Sequence, residues 1–326
     1  MTGSDPLKIL FFSRDPGGTN QLVAVRDRLL FGQKSRREFL VPIVPDTAFF
    51  SIEILAKEYA IDVWRRLGVG CRDWADVSPR LFLEEVSPDL ILTATSHVDD
   101  HSVQELWACA REMGIPSAAF LDSADHLSDR FVTSSGQQMF PDHIFVFDEG
   151  SVSELTGFGV ASSKVHISGN LYADYLSGHN DPKAVRAIKS TWGCQEGETV
   201  ILFASDYISE IGLAGFEDKI TEFECLDYLI NRLANQKMFE GLSGPFRLVI
   251  RLHPKDTPGK YDDYPAKSGP GLKILVSSEG LSQDAVCGAD LVAGMRSALL
   301  REAEVFGIPA LQLIPLVLNK DPQKSA

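Results

Sequence analysis

Short apolar runs alternate with amphipathic stretches along the whole chain. The first run, Leu7-Lys-Ile-Leu-Phe-Phe12, reads as a strand. The turn-rich Ser13-Arg-Asp-Pro-Gly-Gly-Thr-Asn20 follows it, and helical spacing then appears at Leu22, Val25 and Leu29, so the pattern predicts strand, glycine loop, helix. The beat repeats. Phe39 to Val44 is expected as a strand, Ile52 to Tyr59 as a helix, and Asp89 to Ala94 as a strand that ends in the polar Thr95-Ser-His-Val-Asp-Asp100. A helix over Ser102 to Met113, strands over Ser117 to Leu121 and Asp142 to Asp148, and a helix over Glu149 to Gly157 continue it. Alternating β and α segments with short connections predict an α/β fold with a parallel, doubly wound sheet.

The pattern closes near Val165-His-Ile-Ser-Gly-Asn170 and restarts after a polar helical stretch that begins at Asp181-Pro-Lys. Thr199 to Ala204, Phe246 to Arg251, Leu272 to Val276, Ala289 to Ala293 and Pro309 to Leu313 are strand candidates. The stripe Ile220, Phe223, Leu226, Ile230 and Leu233 is the core face of a sheet-covering helix, and Ser297 to Phe306 is a second helix. Two domains are therefore expected, over residues 1–178 and 179–326. A cleft between the carboxyl ends of their strands is where open α/β sheets bind ligands.

With 326 residues, the chain is long enough for two ordinary cores. Lys and Arg total 31 against 45 Asp and Glu, a formal charge of −14 that disfavours nucleic acid and anionic lipid surfaces. A small anionic ligand is still compatible with it, because helix N-termini and local cations can hold phosphate inside an acidic protein. The five cysteines lie far apart with no CxxC pair, as expected of reduced thiols. The start Met1-Thr-Gly-Ser-Asp-Pro lacks the basic and apolar regions of a signal peptide, and no apolar run approaches the ~20 residues that span a bilayer, so a cytoplasmic protein is expected.

Candidate chemistry sits in loops after predicted strands. Gly17, Gly18, Thr19 and Asn20 follow the first strand, where glycines allow close approach of a ligand and free N–H groups attract an oxyanion; a plain tight turn is the simpler reading. Arg251 and His253, in Arg251-Leu-His-Pro254, end a strand with a cation and an imidazole that can both donate to phosphate when the His is protonated, or else only cap the strand end. Gly294-Met-Arg296-Ser297 leads into a helix that Ser297 can cap, with Arg296 adding charge. Glu302, further along, could accept from ribose hydroxyls or stand in solvent. Asp15, His97, Asp99, Asp100 and Asp122 are acid–base candidates; a helix cap is an equal reading of Asp122, and His97 with Asp99 and Asp100 lacks a third distant ligand that would specify a metal.

Several of these segments together carry a resemblance. Asp142-His-Ile-Phe-Val-Phe-Asp-Glu149, Gly157-Phe-Gly159, Val165 to Asn170, Arg251-Leu-His-Pro254 and Gly288 to Pro309 resemble the GT-B glycosyltransferase superfamily, over nearly the whole chain. Within it, they are similar to the nonhydrolysing UDP-N-acetylglucosamine 2-epimerases and to the capsule, teichoic-acid and lipopolysaccharide transferases that carry an HP motif. The resemblance implies two Rossmann-like domains with a cleft between them. It implies metal-independent transfer of a sugar from a nucleotide-sugar donor to an unknown acceptor, with no cofactor, and with the diphosphate near His253 and Ser297 and the ribose near Glu302. The Gly17-Gly18 segment would face the donor from the other domain. A 2-epimerase or hydrolase acting on the same donor is the alternative, and a noncatalytic binding protein of this fold is another. The epimerases show Ser-Gly-Gly where this chain has Arg296-Ser297-Ala298. A homodimer is compatible with these residues.

Overall fold

The computed structural model describes residues 6–31, 40, 42–44, 49–123, 127–179, 181–212, 219–235 and 242–319. The chain divides into two compact units, Met1–Tyr175 and Leu176–Ala326.

In the first unit, β1 (Leu7–Ser13), β2 (Phe50–Ala56), β3 (Arg72–Asp73), β4 (Leu90–Ala94), β5 (Ser117–Phe120), β6 (His143–Val146) and β7 (Val165–Ile167) form one sheet in the order β3-β2-β1-β4-β5-β6-β7. Every pairing in it is parallel. Successive residues of β1 face opposite ways: Ile9 and Phe11 pack with α1 (Pro16–Phe31), and Leu10 and Phe12 pack with α3 (Pro79–Val86) and α4 (Ser102–Met113). Both sheet faces are covered, which is why these strands read as continuous apolar runs. α2 (Tyr59–Arg66) and α5 (Glu149–Gly157) complete the unit's α-helices among the described residues, and α6 (Leu171–Ser177) begins in it and ends just past Tyr175.

The second unit opens with α7 (Pro182–Thr191), capped by the Asp181 side chain, and carries β8 (Thr199–Ala204), β9 (Phe246–Arg251), β10 (Leu272–Ser277), β11 (Leu291–Gly294) and β12 (Ala310–Gln312). They form a parallel sheet in the order β10-β9-β8-β11-β12. Of the predicted apolar stripe, Phe223, Leu226, Ile230 and Leu233 lie on α9 (Glu222–Ala234), and Ile220 precedes it; the helix begins with a Thr221/Glu224 capping box and packs against Ile201 and Phe203 of β8. Val200 and Leu202 point to the other face, where α7, α10 (Ser282–Cys287) and α11 (Ala298–Val305) cover them. α8 (Ile208–Ile211) and α12 (Ile314–Leu318) are short.

Three expectations are corrected. Ile52 to Tyr59 is not a helix: Phe50–Ala56 pairs with β1 along its full length, and the helix starts only at Tyr59. Gly17 to Asn20 is not a loop but the first turn of α1, entered through Pro16, with Asp15 O accepting from Thr19 N at 2.9 Å. The strand expected over Phe39 to Val44 falls partly outside the described residues; Leu40 and Val44, which are described, belong to a turn in which Ile43 N and Val44 N both donate to Leu40 O.

Candidate functional site

The order in which the chain adds parallel strands turns back once in each sheet, between β1 and β4 in the first unit and between β8 and β11 in the second. The carboxyl ends of strands at such a switch point are where a doubly wound sheet leaves an open crevice. The candidate residues gather at these two places.

In the first unit, Asp15 follows β1 and its Oδ2 accepts from His97 N after β4, at 2.9 Å. Asp122 follows β5; its Oδ1 accepts from Thr95 Oγ1 (3.0 Å) and Arg130 Nη1 (2.5 Å). Its Oδ2 faces Gly17, where an added Cβ would stand 3.1 Å away. Gly18 is needed for packing, since a Cβ there would lie 2.5 Å from Ala94 Cβ and 3.1 Å from Thr95 O. Thr19 is buried, with its hydroxyl on Asp15 O at 2.8 Å, and Asn20 is half-buried. Asp15, Gly17, His97 and Asp122 are thus brought together around the start of α1. The Asp99 carboxylate is exposed, 3.5 Å from His97 Nδ1.

Asp100 does something else. Burial alone would raise its pKa, but hydrogen bonds from Lys57 and Ser102 and the nearby Arg14 charge outweigh burial and hold the carboxylate below its usual range. It is a buried ion-pair partner that joins the loops after β1, β2 and β4.

In the second unit, Asp206 after β8 accepts from Arg296 N after β11 at 3.2 Å, which stitches the switch point together. Burial, with the Glu222 charge adding to it, pushes the Asp206 carboxyl up against that hydrogen bond. Ser297 caps α11 by accepting from Leu299 N, and Arg296 is exposed beside it. Gly294 lies so close to Ala204 that a Cβ would be 3.0 Å from its carbonyl oxygen. Arg251 is buried and its guanidinium donates to the carbonyls of Glu279 and Gly280, the latter at 2.8 Å, so it anchors the loop after β10.

His253 differs from the expectation of a protonated donor. Burial, reinforced by Lys255 and Lys260, lowers its pKa to about 4, so the ring is neutral. It stacks on Tyr207 with centroids 4.6 Å apart. Tyr207 adjoins Asp206, whose carboxylate reaches Arg296, so His253 and Ser297 belong to one connected group of loops.

Glu302 is 6% exposed, and its Oε2 has no hydrogen-bond partner among the described residues. Burial pushes its pKa up to about 8, with the Ser282 hydroxyl and the Arg251 charge acting in the other direction. The solvated alternative does not describe it.

Sequence reasoning missed Thr95, Arg130, Asp206 and Lys260. Ser205-Asp206-Tyr207 follows β8 as Arg14-Asp15 follows β1, a signal of position that applies equally to both. Arg130 lies eight residues beyond Asp122, and spacing gives no sign that the two meet. Among the described residues, no three His, Cys, Asp or Glu side chains are grouped to hold a metal ion, and no helix is long and apolar enough to cross a membrane.

No family model and no curated protein matches the chain. Solved structures do resemble it. UDP-GlcNAc 2-epimerase from Methanocaldococcus jannaschii gives a TM-score of 0.60 at 13% identity over 94% of this chain and 83% of that one. The Neisseria meningitidis UDP-GlcNAc 2-epimerase bound to UDP-GlcNAc gives 0.58 at 14% identity, over 96% and 85%. Anabaena Alr3699/HepE in complex with UDP-glucose gives 0.52 at 13% identity, over 97% and 91%. At these identities the likeness is one of fold alone: two α/β units, each built on a parallel sheet.

Proposed function

We propose that this chain is an enzyme that binds a UDP-sugar at the β8/β11 switch point of its second unit and rearranges the sugar as a 2-epimerase does. The observation that carries the reading is Glu302, a buried carboxyl with an unpartnered oxygen, on the helix that Ser297 caps. A fold does not bury an unsatisfied carboxyl for stability, whereas two ribose hydroxyls would satisfy it. In this reading the diphosphate lies at the α11 N-terminus, with Ser297, Arg296 and the Nε2–H of His253 as donors and Gly294 keeping the strand end narrow.

Glycosyl transfer, which the sequence led us to expect, shares this donor site but requires an acceptor. The fold likeness to UDP-GlcNAc 2-epimerases, one of them bound to UDP-GlcNAc, supports the alternative instead. Epimerisation at a carbon requires a proton to leave one face and return to the other, hence two acid–base groups. Asp15 and Asp122, differently hydrogen-bonded, are the proposed pair, with His97 and Asp99 beside them. The scheme calls on no metal or cofactor.

Incubation with UDP-GlcNAc in deuterium oxide, followed by proton NMR, tests the proposal. A second nucleotide sugar carrying deuterium at the inverted carbon supports it. UDP released only when an acceptor is added points to transfer, and UDP released without one points to hydrolysis. If no UDP compound raises the melting temperature, the nucleotide site itself is refuted, since a ligand at 100 times its Kd stabilises by about 2.7 kcal/mol.

A further inference from the structure

Behind His253 lies a buried charge cluster that the proposed function leaves unused. The Lys260 ammonium, 3% exposed, pairs with Asp256 Oδ1 (2.8 Å), Glu222 Oε1 (2.5 Å) and Glu210 Oε2 (3.0 Å), and donates to the Asp206 carbonyl at 2.7 Å. These partners come from the loops after β8 and β9, from α8 and from the first turn of α9, so one cation ties together four segments around the switch point. Buried charge of this kind is weak evidence for stability, because desolvation offsets most of the Coulomb gain. Its connection to the imidazole is more informative.

Asp256 Oδ2 accepts from His253 N at 2.8 Å, and Lys255 N donates to His253 Nδ1 at 3.1 Å. A ring nitrogen that accepts from a backbone N–H carries no proton, so the neutral imidazole must carry its proton on Nε2. We propose that Lys260 and Asp256 are positioning residues that hold His253 as its Nε2–H tautomer, a single neutral donor for a diphosphate oxygen. The proposal rests on the reading that the second unit binds a nucleoside diphosphate. Lys260 fixes Asp256 through Oδ1, and Asp256 fixes the backbone of His253 through Oδ2, so the turn that directs Lys255 N at Nδ1 is set from two sides.

Lys260 also acts on the ring through charge. Lys255 and Lys260 lower the pKa of His253, and Glu210 raises it; Asp206, Asp256 and Glu222 complete the charged groups around it. Lys260→Met removes a cation and leaves Glu210, Asp256 and Glu222 without their shared partner, so the pKa of His253 must climb. Lys260→Arg keeps the charge.

The experiment is long-range proton–nitrogen NMR on the full chain with 15N-labelled histidine, with His253→Ala identifying the signal, across a pH titration and with UDP as probe. The wild type is expected to show unprotonated Nδ1 and protonated Nε2, neutral throughout the range about pH 5 to 8. In Lys260→Met the tautomers mix, the pKa rises by about one or more, and the Kd for UDP increases by about tenfold, whereas Lys260→Arg stays near wild type. If circular dichroism shows that Lys260→Met does not fold, Asp256→Ala takes its place with the same expected mixing of tautomers. A proton on Nδ1 in the wild type overturns the proposal, as does an unchanged tautomer and titration in the variants. Failure of UDP to bind the wild type would instead remove the nucleotide reading and leave the tautomer result standing.

Discussion

Replacing Glu302 by Gln keeps the volume of the side chain and one carbonyl acceptor but removes its ionisation. In the unfolded chain this carboxyl titrates near 4.5, and in the folded chain near 8. Folding therefore favours the protonated form. Below 4.5 both states hold the proton and ionisation costs nothing. Between 4.5 and 8 the unfolded chain has released its proton while the folded chain retains it, so stability falls by about 1.4 kcal/mol per pH unit. Above 8 both are ionised and the loss is complete, at about 5 kcal/mol. Gln has no such term. Urea denaturation of wild type and Glu302→Gln at several pH values from about 5 to about 8 should thus show the variant gaining steadily on the wild type as pH rises. Parallel stability curves would refute the buried, unsatisfied carboxyl. UDP adds a second readout, because an ionised carboxylate accepts two hydroxyls better than a protonated one. Wild-type affinity for UDP should strengthen as pH approaches 8, and that of the variant should not.

Three further substitutions separate packing from chemistry around β1 and β4. Gly18→Ala places a Cβ 2.5 Å from Ala94 Cβ, where neither partner has a flexible end to move, and should cost about 1–3 kcal/mol in a urea melt; an unchanged midpoint would reject the close approach of α1 to β4. Asp122→Asn should lower turnover about 10²- to 10⁴-fold while UDP affinity stays within twofold, and a parallel loss of binding would move Asp122 out of the acid–base pair. Asp100→Ala leaves Lys57 and Arg14 facing each other without their buried carboxylate, and should destabilise by about 3–5 kcal/mol; a fully stable variant with impaired turnover would mean that Asp100 serves catalysis instead.

The strands buried on both faces were legible because their apolar runs have no charged interruption, as in Leu90-Ile-Leu-Thr-Ala94 or Val200-Ile-Leu-Phe-Ala204. β2 was misread because it is flanked on one side only by the two-residue β3, which leaves Glu53 exposed in its middle and gives the segment the charge spacing of a helix. Position at strand ends likewise led to Asp15, His97 and Asp122. Lys260 escaped because it lies nine residues past Arg251, in a loop whose return to β9 no periodicity encodes.

Glu302 marks where pattern and chemistry part. Leu299, Glu302, Ala303 and Phe306 fall at the i, i+3, i+4, i+7 spacing of a core-facing stripe, while Arg301 and Glu304 on the same helix are exposed. By spacing alone, position 302 calls for an apolar residue. Leu or Ala there would bury cleanly and cost nothing on ionisation, whereas Glu brings a carboxyl that destabilises the fold at neutral pH and leaves one oxygen without a partner. A sequence that keeps local rules at every other turn of this helix and breaks them at one is under a demand that folding does not make. The same reasoning does not extend to Asp100 or Arg251, whose buried charges are fully answered by neighbouring ions or carbonyls. Among the buried charged groups of the described residues, Glu302 on α11 is the one left with an unanswered carboxylate oxygen, and it is the one that calls for a ligand.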